Sequence, residues 1–100
     1  MMRYLTVSAD YDSTGIKDLN EGELDESHLA LNAALWAKIK KWVNDYQIII
    51  PMNNAERAAS DDLISKLDDQ GLEICREILS HLDDVKVEYY SEGRLRKLQP

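Results

Sequence analysis

The sequence predicts a single α+β domain spanning residues 1–100. Two long antiparallel helices should pack on a small sheet of three to four strands that includes a C-terminal β-hairpin. Two segments in the middle of the chain repeat apolar residues every three or four positions, as amphipathic helices do. Segments at the start and near the end alternate apolar with polar residues, as half-buried strands do. The apolar face of such strands must be shielded from water, so the helices should pack on one face of the sheet.

The first strand is predicted over residues 3–9, RYLTVSA, which is rich in β-branched and aromatic residues. Leu5 and Val7 should point inward. The next segment, DYDSTGIKDLNEGELDE, has Gly15 and Gly22 at turns. Residues 15–19 are a candidate for a short second strand.

The first helix should begin after Asn32, whose side chain can cap it, and not at Ser27. Its apolar stripe consists of Leu35, Ile39, Trp42, Val43 and Tyr46. Residues 47–50, QIII, are apolar and stop at Pro51, which disfavours helix in the residue before it. They are predicted to form the helix end and a buried exit, with a short strand as the alternative.

Residues 52–59 have no strong pattern and are predicted to form a loop. Ser60, followed by two acidic residues, should cap a second helix that stops near Asp83 and Asp84. Gly71 lies inside this helix, where glycine costs about 1 kcal/mol relative to alanine. Either the helix breaks there or another backbone needs the room; one continuous helix is the favoured interpretation.

A hairpin is predicted to end the chain. Residues 85–90 alternate, with Val85, Val87 and Tyr89 on one face. Residues 91–93 form a three-residue loop whose last residue, Gly93, should take the left-handed conformation before a strand in 94–98. The N-terminal strand should lie beside the 85–90 strand, and if the two are parallel their connection should be right-handed.

The charge distribution favours a basic protein as partner. The net charge is −7, and two segments hold most of the excess. Residues 10–26 carry seven acidic residues and one lysine, and residues 61–84 carry eight acidic residues against Lys66 and Arg76. Nucleic acid is a poor partner for this surface, since phosphate binding needs concentrated positive charge. No apolar run reaches the length of a signal peptide or a membrane span, so we expect no membrane partner and a cytoplasmic protein.

Residue types and spacings give no sign of an enzyme or a cofactor. Cys75 is the single cysteine and is expected to be buried in the core. Neither His28 nor His81 has a partner at the spacing of a catalytic triad or a metal pair. No two carboxylates fall in an apolar stretch, where one of them would gain a raised pKa.

One alternative is a calcium loop. Oxygen donors at Asp10, Asp12, Thr14, Asp18 and Glu21, with a glycine at the sixth position, match the spacing of an EF-hand. An EF-hand loop lies between two helices, whereas a strand is predicted before this segment. A solvated acidic turn is therefore the favoured interpretation.

At YDSTGIKD, LALNAALWAKIKKWVNDYQ, DDQGLEICREI and VKVEYYSEGRL the chain resembles a family of small uncharacterised bacterial proteins. The shared features are a glycine turn, an L-x-L-[ST]-x-x-L helix start, in which Asn32 replaces the hydroxyl residue, and a W-x-x-x-Y helix end. These motifs are structural and imply no catalytic residue. In size, acidity and absence of catalytic motifs the chain is also similar to immunity proteins of bacterial toxin systems, including contact-dependent growth inhibition.

The leading hypothesis is therefore a cytoplasmic immunity protein, similar to an antitoxin, that neutralises a basic nuclease toxin. A nuclease must be basic where it meets nucleic acid, so an acidic partner can cover that surface. Tyrosine and arginine on the hairpin add residues typical of interface hot spots. The residues expected to bind the partner are Asp10, Asp12, Asp18, Glu21, Glu23, Asp61, Asp62, Asp68, Asp69, Tyr90 and Arg94. The alternative is a general interaction or regulatory domain, for example a homodimer joined through its sheet edge.

Overall fold

A computed structural model of the protein describes residues 2–99 and confirms a single-domain α+β fold. The elements are β1 (Arg3–Val7), β2 (Ile16–Asp18), β3 (Gly22–Glu23), α1 (Ala33–Tyr46), α2 (Asn54–Ala59), α3 (Asp61–His81), β4 (Val85–Ser91) and β5 (Arg96–Leu98). The strands form one mixed sheet in the order β3-β2-β1-β4-β5. The sheet has five strands where three to four were expected, because the two-residue strand β3 pairs with β2.

The centre of the sheet is the parallel pair β1 and β4, which confirms that the first strand lies beside the 85–90 strand. Leu5 pairs with Val87, and Val7 with Tyr89. All four side chains are buried, as the alternation predicted. β2 and β5 extend the sheet by antiparallel pairing on the two sides of this centre.

Asn32 caps α1 as predicted, since its Oδ1 accepts a hydrogen bond from the Leu35 backbone N–H at 2.7 Å. The same side chain also connects to the end of α3, with its Nδ2 2.7 Å from His81 Nε2. His81 Nδ1 lies 2.8 Å from the Glu77 carbonyl oxygen, which fits a neutral ring that carries its proton on Nδ1. Further along α1, Trp42 donates through its indole N–H to the Leu67 carbonyl, 2.8 Å away.

Residues 47–51 form turns that follow the end of α1, with Ile49 buried, and the alternative of a short strand is wrong. The rest of the connection between α1 and α3 differs from the prediction in two places. The predicted loop contains helix α2, whose capping box joins Asn53 and Glu56 reciprocally. Asn53-x-x-Glu56 was the sequence signal for this helix. Ser60 makes no side-chain cap to α3, because it is also the C-cap of α2 and its backbone, with φ −105° and ψ 22°, lies outside the extended region that N-cap residues adopt.

α3 runs without a break through Gly71, as favoured from the sequence. A Cβ at this position would lie 2.6 Å from Cζ of Tyr89 and 2.8 Å from Cζ2 of Trp42. Glycine is therefore required at this position because two aromatic rings, and not another backbone segment, pack against it. The two rings also contact each other, with their centroids 6.0 Å apart.

β4 and β5 pair as an antiparallel hairpin, but its loop is residues 92–95 and not 91–93, and its left-handed residue is not the glycine. Leu95 has φ 56°, whereas Gly93 has no positive φ. Gly93 is instead required by packing, since a Cβ there would lie 2.7 Å from Cγ2 of Ile64 and 2.8 Å from the Tyr46 hydroxyl.

Cys75 is buried as expected, and burial raises the pKa of its thiol to about 12. Across residues 2–99, no helix has the length and apolarity that crossing a membrane requires.

Candidate partner-binding surface

A groove of about 510 Å³ opens between the 11–14 turn, the 25–26 loop and one side of α1. Trp36 and Val43 of α1 line it, and both are buried. Tyr11 stands at its edge with 77% of its surface exposed, which is unusual for so large an apolar ring. We call this region the acidic groove because its lining also includes Asp12, Asp25 and Glu26.

The turn is held against α1 by side-chain hydrogen bonds. Gln47, at the end of α1, donates through Nε2 to the carbonyls of Ala9 and Asp10, each at 3.3 Å. Gly15 packs on α1 so closely that a Cβ there would lie 2.8 Å from Cγ2 of Ile39. The φ of Gly15 is +95°, a conformation that L side chains rarely adopt. The groove is therefore built on a fixed turn and a helix.

Three carboxylates and one ammonium group give the acidic groove its charge. Lys40 pairs with Glu26, which leaves the charges of Asp12 and Asp25 unopposed by a lysine or arginine within the described range 2–99. The hydroxyl of Ser27, 2.6 Å from Asp25, and the ring of His28, at 2.7 Å, lower the pKa of Asp25 to about 2. Asp25 therefore stays ionised at every physiological pH.

The structure brings Ser27, His28 and Asp25 together, which the sequence spacing did not suggest. The Ser27 hydroxyl and the Asp25 carboxylate both contact the same ring nitrogen, Nδ1 of His28, at 3.1 and 2.7 Å. A nucleophile relay needs the acid on one ring nitrogen and the hydroxyl on the other. Asp25 also accepts from the Ser27 backbone N–H at 2.9 Å, so the arrangement is a capped turn that fixes a negative charge.

A second group of polar side chains is buried between α1, α3 and β4. Asp68 of α3, only 3% exposed, accepts hydrogen bonds from the hydroxyls of Tyr46 at 2.8 Å and Tyr89 at 2.6 Å through Oδ1. Its Oδ2 accepts from the Ser91 hydroxyl at 2.8 Å. We call Tyr46, Asp68, Tyr89 and Ser91 the Asp68 cluster. The Gly93 backbone N–H adds a donor to the Tyr46 hydroxyl at 2.8 Å, which ties the hairpin loop to the same cluster.

The Asp68 cluster keeps both phenols protonated. Burial, reinforced by the Asp68 charge, raises the pKa of Tyr46 to about 12, and burial and Asp68 also raise the pKa of Tyr89. Arg94 lies at the border of the cluster, with Nε 3.7 Å from Asp68 Oδ2 and Nη1 2.8 Å from Asp61 Oδ1. The buried carboxylate is thus compensated by three hydroxyl donors and one nearby guanidinium.

Three of the residues predicted to bind a partner, Asp18, Asp68 and Arg94, have side chains that are engaged inside the molecule. Asp68 is buried and fully used within the cluster. Asp18 is 7% exposed and caps the β2–β3 turn by accepting from the backbone N–H groups of Asn20 and Glu21. The Asn20 N–H is the main reason that its pKa is lowered. Arg94 is committed to Asp61 and to the Ser65 hydroxyl, 2.7 Å away.

The other predicted residues lie at the surface but do not form one patch. Asp12 lies in the acidic groove, while Asp10 faces Lys17 at 3.8 Å on the adjoining side of the turn. Glu21 is 3.6 Å from Arg3, and Asp61 pairs with Arg94. The remaining exposed or half-buried members are Glu23 on β3, Asp62 and Asp69 on α3, and Tyr90 on β4.

The calcium interpretation finds no support in the geometry of the 10–21 segment. Asp10 and Asp12 belong to a turn, whereas the carboxylate of Asp18 points to the backbone of the next turn and to Arg3 at 3.3 Å. Across residues 2–99, no three His, Cys, Asp or Glu side chains converge as a metal-binding group.

Comparisons with known proteins add nothing to this geometry. No protein-family model matches the chain, and neither a curated protein nor a solved structure matches it. The resemblance drawn from the sequence motifs stays a prediction.

Sequence reasoning missed the groove residues Tyr11, Asp25 and Glu26, because the groove forms only when residues distant in the chain meet. The burial of Asp68 did leave a signal. Asp68 lies four residues after Ile64 and three before Gly71, on the same helical stripe as the core residues.

Proposed function

We propose that the protein is a cytoplasmic immunity protein that binds and neutralises a basic bacterial toxin, of the nuclease kind. The observation that carries the proposal is the acidic groove, whose lining combines apolar atoms of Tyr11, Trp36 and Val43 with the carboxylates of Asp12, Asp25 and Glu26. The small size, the net charge of −7 and the likeness in physical type to immunity proteins support it.

The groove matches the chemistry of a lysine or arginine side chain from such a partner. These side chains have an apolar stem and a charged end, so they bury the stem against carbon while the end meets a carboxylate. Asp25 is held ionised, and Tyr11 is exposed beside it, as aromatic residues at binding hot spots often are. The other exposed acids, including Asp62 and Asp69 of α3, would attract the partner over a longer range and speed its approach.

A growth assay tests the biological role. The proposal predicts a toxin gene directly upstream of the gene for this protein. Expression of that toxin domain alone in bacteria should stop growth, and coexpression of this protein should restore it. The proposal is wrong if the upstream gene encodes no toxin, or if the toxin kills equally well with and without this protein.

Association kinetics with the same toxin domain test the site. The triple variant Asp12→Asn, Asp25→Asn, Glu26→Gln should bind at least tenfold more weakly, with faster dissociation, because it loses contacts inside the interface. The matched triple variant Asp62→Asn, Asp69→Asn, Asp83→Asn removes the same charge outside the groove. It should slow association modestly and leave dissociation unchanged. Equal effects of the two triple variants would show that the groove is not the binding site.

The homodimer hypothesis has less structural support. The edges of the sheet are β3, with two residues, and β5, with three residues that include Arg96 and Lys97. Short, charged edges oppose pairing with a second sheet. Light scattering separates the hypotheses, because a monomer has a mass of 11.5 kDa and a dimer twice that value.

A further inference from the structure

A second cavity, of about 470 Å³, lies between α2, the start of α3 and the hairpin loop, and it has the opposite chemistry. Arg57, Arg94 and Arg96 line it, together with a single carboxylate, Asp61. Its volume falls within the range of small-molecule sites, roughly 300–1,000 Å³. We call it the arginine cavity. A concentration of three guanidinium groups is unexpected in a chain with 19 acidic and 12 basic residues.

The three arginines differ in how many of their side-chain N–H donors already have a hydrogen-bond acceptor. Arg94 is held by Ser65 and by Asp61, the only carboxylate in the lining, and its Nε lies 3.7 Å from the buried Asp68. Arg57 makes one hydrogen bond, from Nη2 to the Ile50 carbonyl at 3.2 Å. Its Nε is buried and has no acceptor among residues 2–99.

Such an orphaned donor is uncommon in folded proteins, where buried polar groups nearly always find a partner. Arg96 is exposed, and within the described chain its side chain makes no hydrogen bond or ion pair. The guanidinium groups of Arg57 and Arg96 therefore retain unused donors in this cavity.

We propose that the arginine cavity binds a phosphate group between Arg57 and Arg96. Guanidinium groups offer forked donors that match phosphate oxygens, and each such contact is a charge-assisted hydrogen bond. Ala58 and Leu95 supply apolar surface in the same cavity, and its volume exceeds what a free phosphate ion fills. The ligand class is therefore a small phosphate monoester, and the site is independent of the acidic groove.

An NMR titration of the full chain at constant ionic strength tests this proposal. The probes are inorganic phosphate, glycerol 3-phosphate and, as a singly charged comparison, acetate. The Nε–H signal of Arg57 and the backbone amide of Leu95 should shift in a saturable way with phosphate and with the ester, and acetate should bind at least tenfold more weakly. Tighter binding of the ester than of inorganic phosphate identifies a monoester as the ligand. Equal affinity identifies the free ion.

Two variants and a matched control complete the test. Arg96→Gln, at an exposed position, and Arg57→Gln should each weaken phosphate binding by roughly ten- to hundredfold, the loss of one hydrogen bond to a charged group. Arg76→Gln removes the same charge on the exposed side of α3, outside the cavity, and should bind phosphate like the wild type. The proposal is overturned if phosphate leaves the wild-type spectrum unchanged. It is also overturned if Arg76→Gln weakens binding as much as Arg96→Gln does.

Discussion

The acidic groove and the Asp68 cluster use the same residue types, aspartate and tyrosine, in opposite ways. In the groove, Asp12, Asp25 and the ring of Tyr11 face solvent, although Ser27 and His28 also contact the carboxylate of Asp25. In the cluster, one carboxylate receives three hydroxyl donors in the interior. Replacing a residue in one region should change binding, and in the other it should change folding.

The difference shows why a count of acidic residues describes this molecule poorly. Asp68 and Asp69 are neighbours in the sequence and contribute equally to the net charge, but one is buried and the other is exposed. Burial decides their roles, because a carboxylate removed from water needs internal donors, whereas an exposed one is solvated and free to meet a partner. Four predictions test this contrast, beginning with the largest expected effect.

Asp68→Ala should lower the free energy of unfolding by about 3–5 kcal/mol, measured by urea denaturation, because three buried hydroxyl groups lose their acceptor. This is a large part of the roughly 5–15 kcal/mol that stabilises a typical domain. Asp69→Ala, the exposed neighbour, is the control and should change stability by less than about 0.5 kcal/mol. Similar losses in the two variants would contradict the structural role of Asp68.

Gly71→Ala tests the packing around the same cluster. Alanine favours a helix over glycine by about 1 kcal/mol, but its Cβ would overlap the rings of Tyr89 and Trp42. Overpacking should dominate and give a net destabilisation of about 1–3 kcal/mol in the same urea experiment. Gln70→Ala, one residue earlier in α3, should be close to neutral. If Gly71→Ala stabilises the protein, the close contact with Tyr89 is wrong.

The Asp68 cluster also predicts a loss of stability at high pH. The pKa of Tyr46 is raised from 10.0 to about 12 in the folded protein, so between these values the unfolded chain releases a proton that the folded chain keeps. The contribution of Tyr46 to the free energy of unfolding is therefore fully present below pH 10 and decreases as the pH rises towards 12. The stability difference between the wild type and Tyr46→Phe, from urea midpoints, should therefore narrow over this interval. A constant difference would contradict the raised pKa.

The smallest effect on stability is expected in the groove. The triple variant Asp12→Asn, Asp25→Asn, Glu26→Gln should unfold within about 0.5 kcal/mol of the wild type at pH 7, since exposed ion pairs contribute little. Asparagine can still accept the turn hydrogen bonds that Asp25 accepts. A loss comparable to that of Asp68→Ala would mean that the groove acids support the fold, and their proposed role in binding would lose its basis.

The sequence predicted the elements whose signals are local. Asn32 next to an apolar stripe located the start of α1, and the alternation around Val7 and Val87 located the two central strands. α2 was missed although its capping box is present, because six residues are too few to show an apolar period. The left-handed residue of the hairpin was misassigned because Gly93 is needed for packing against Ile64 and not for its φ.

The candidate site was less predictable, because its residues come from three separate segments. Asp12 and Asp25 line one groove only after β2 and β3 fold back along the sheet. The charge of a residue also does not indicate whether its side chain is exposed, so the sequence prediction grouped Asp18 and Asp68 with the surface acids. The helical period of α3 puts Asp68 on the same stripe as the core residues. This pattern predicts the burial of Asp68 correctly, whereas its charge alone predicts exposure.

The two tryptophans report separately on the two regions that this account contrasts. Trp36 lines the acidic groove and donates its indole N–H to Leu29 at 3.3 Å, while Trp42 donates to Leu67 beside the Asp68 cluster. The most direct measurement is an NMR titration with hexalysine that follows both indole N–H signals. Saturable movement of the Trp36 signal, with Trp42 unchanged, is the predicted result. If the two signals move equally, or if Trp36 does not move, the acidic groove does not bind basic side chains.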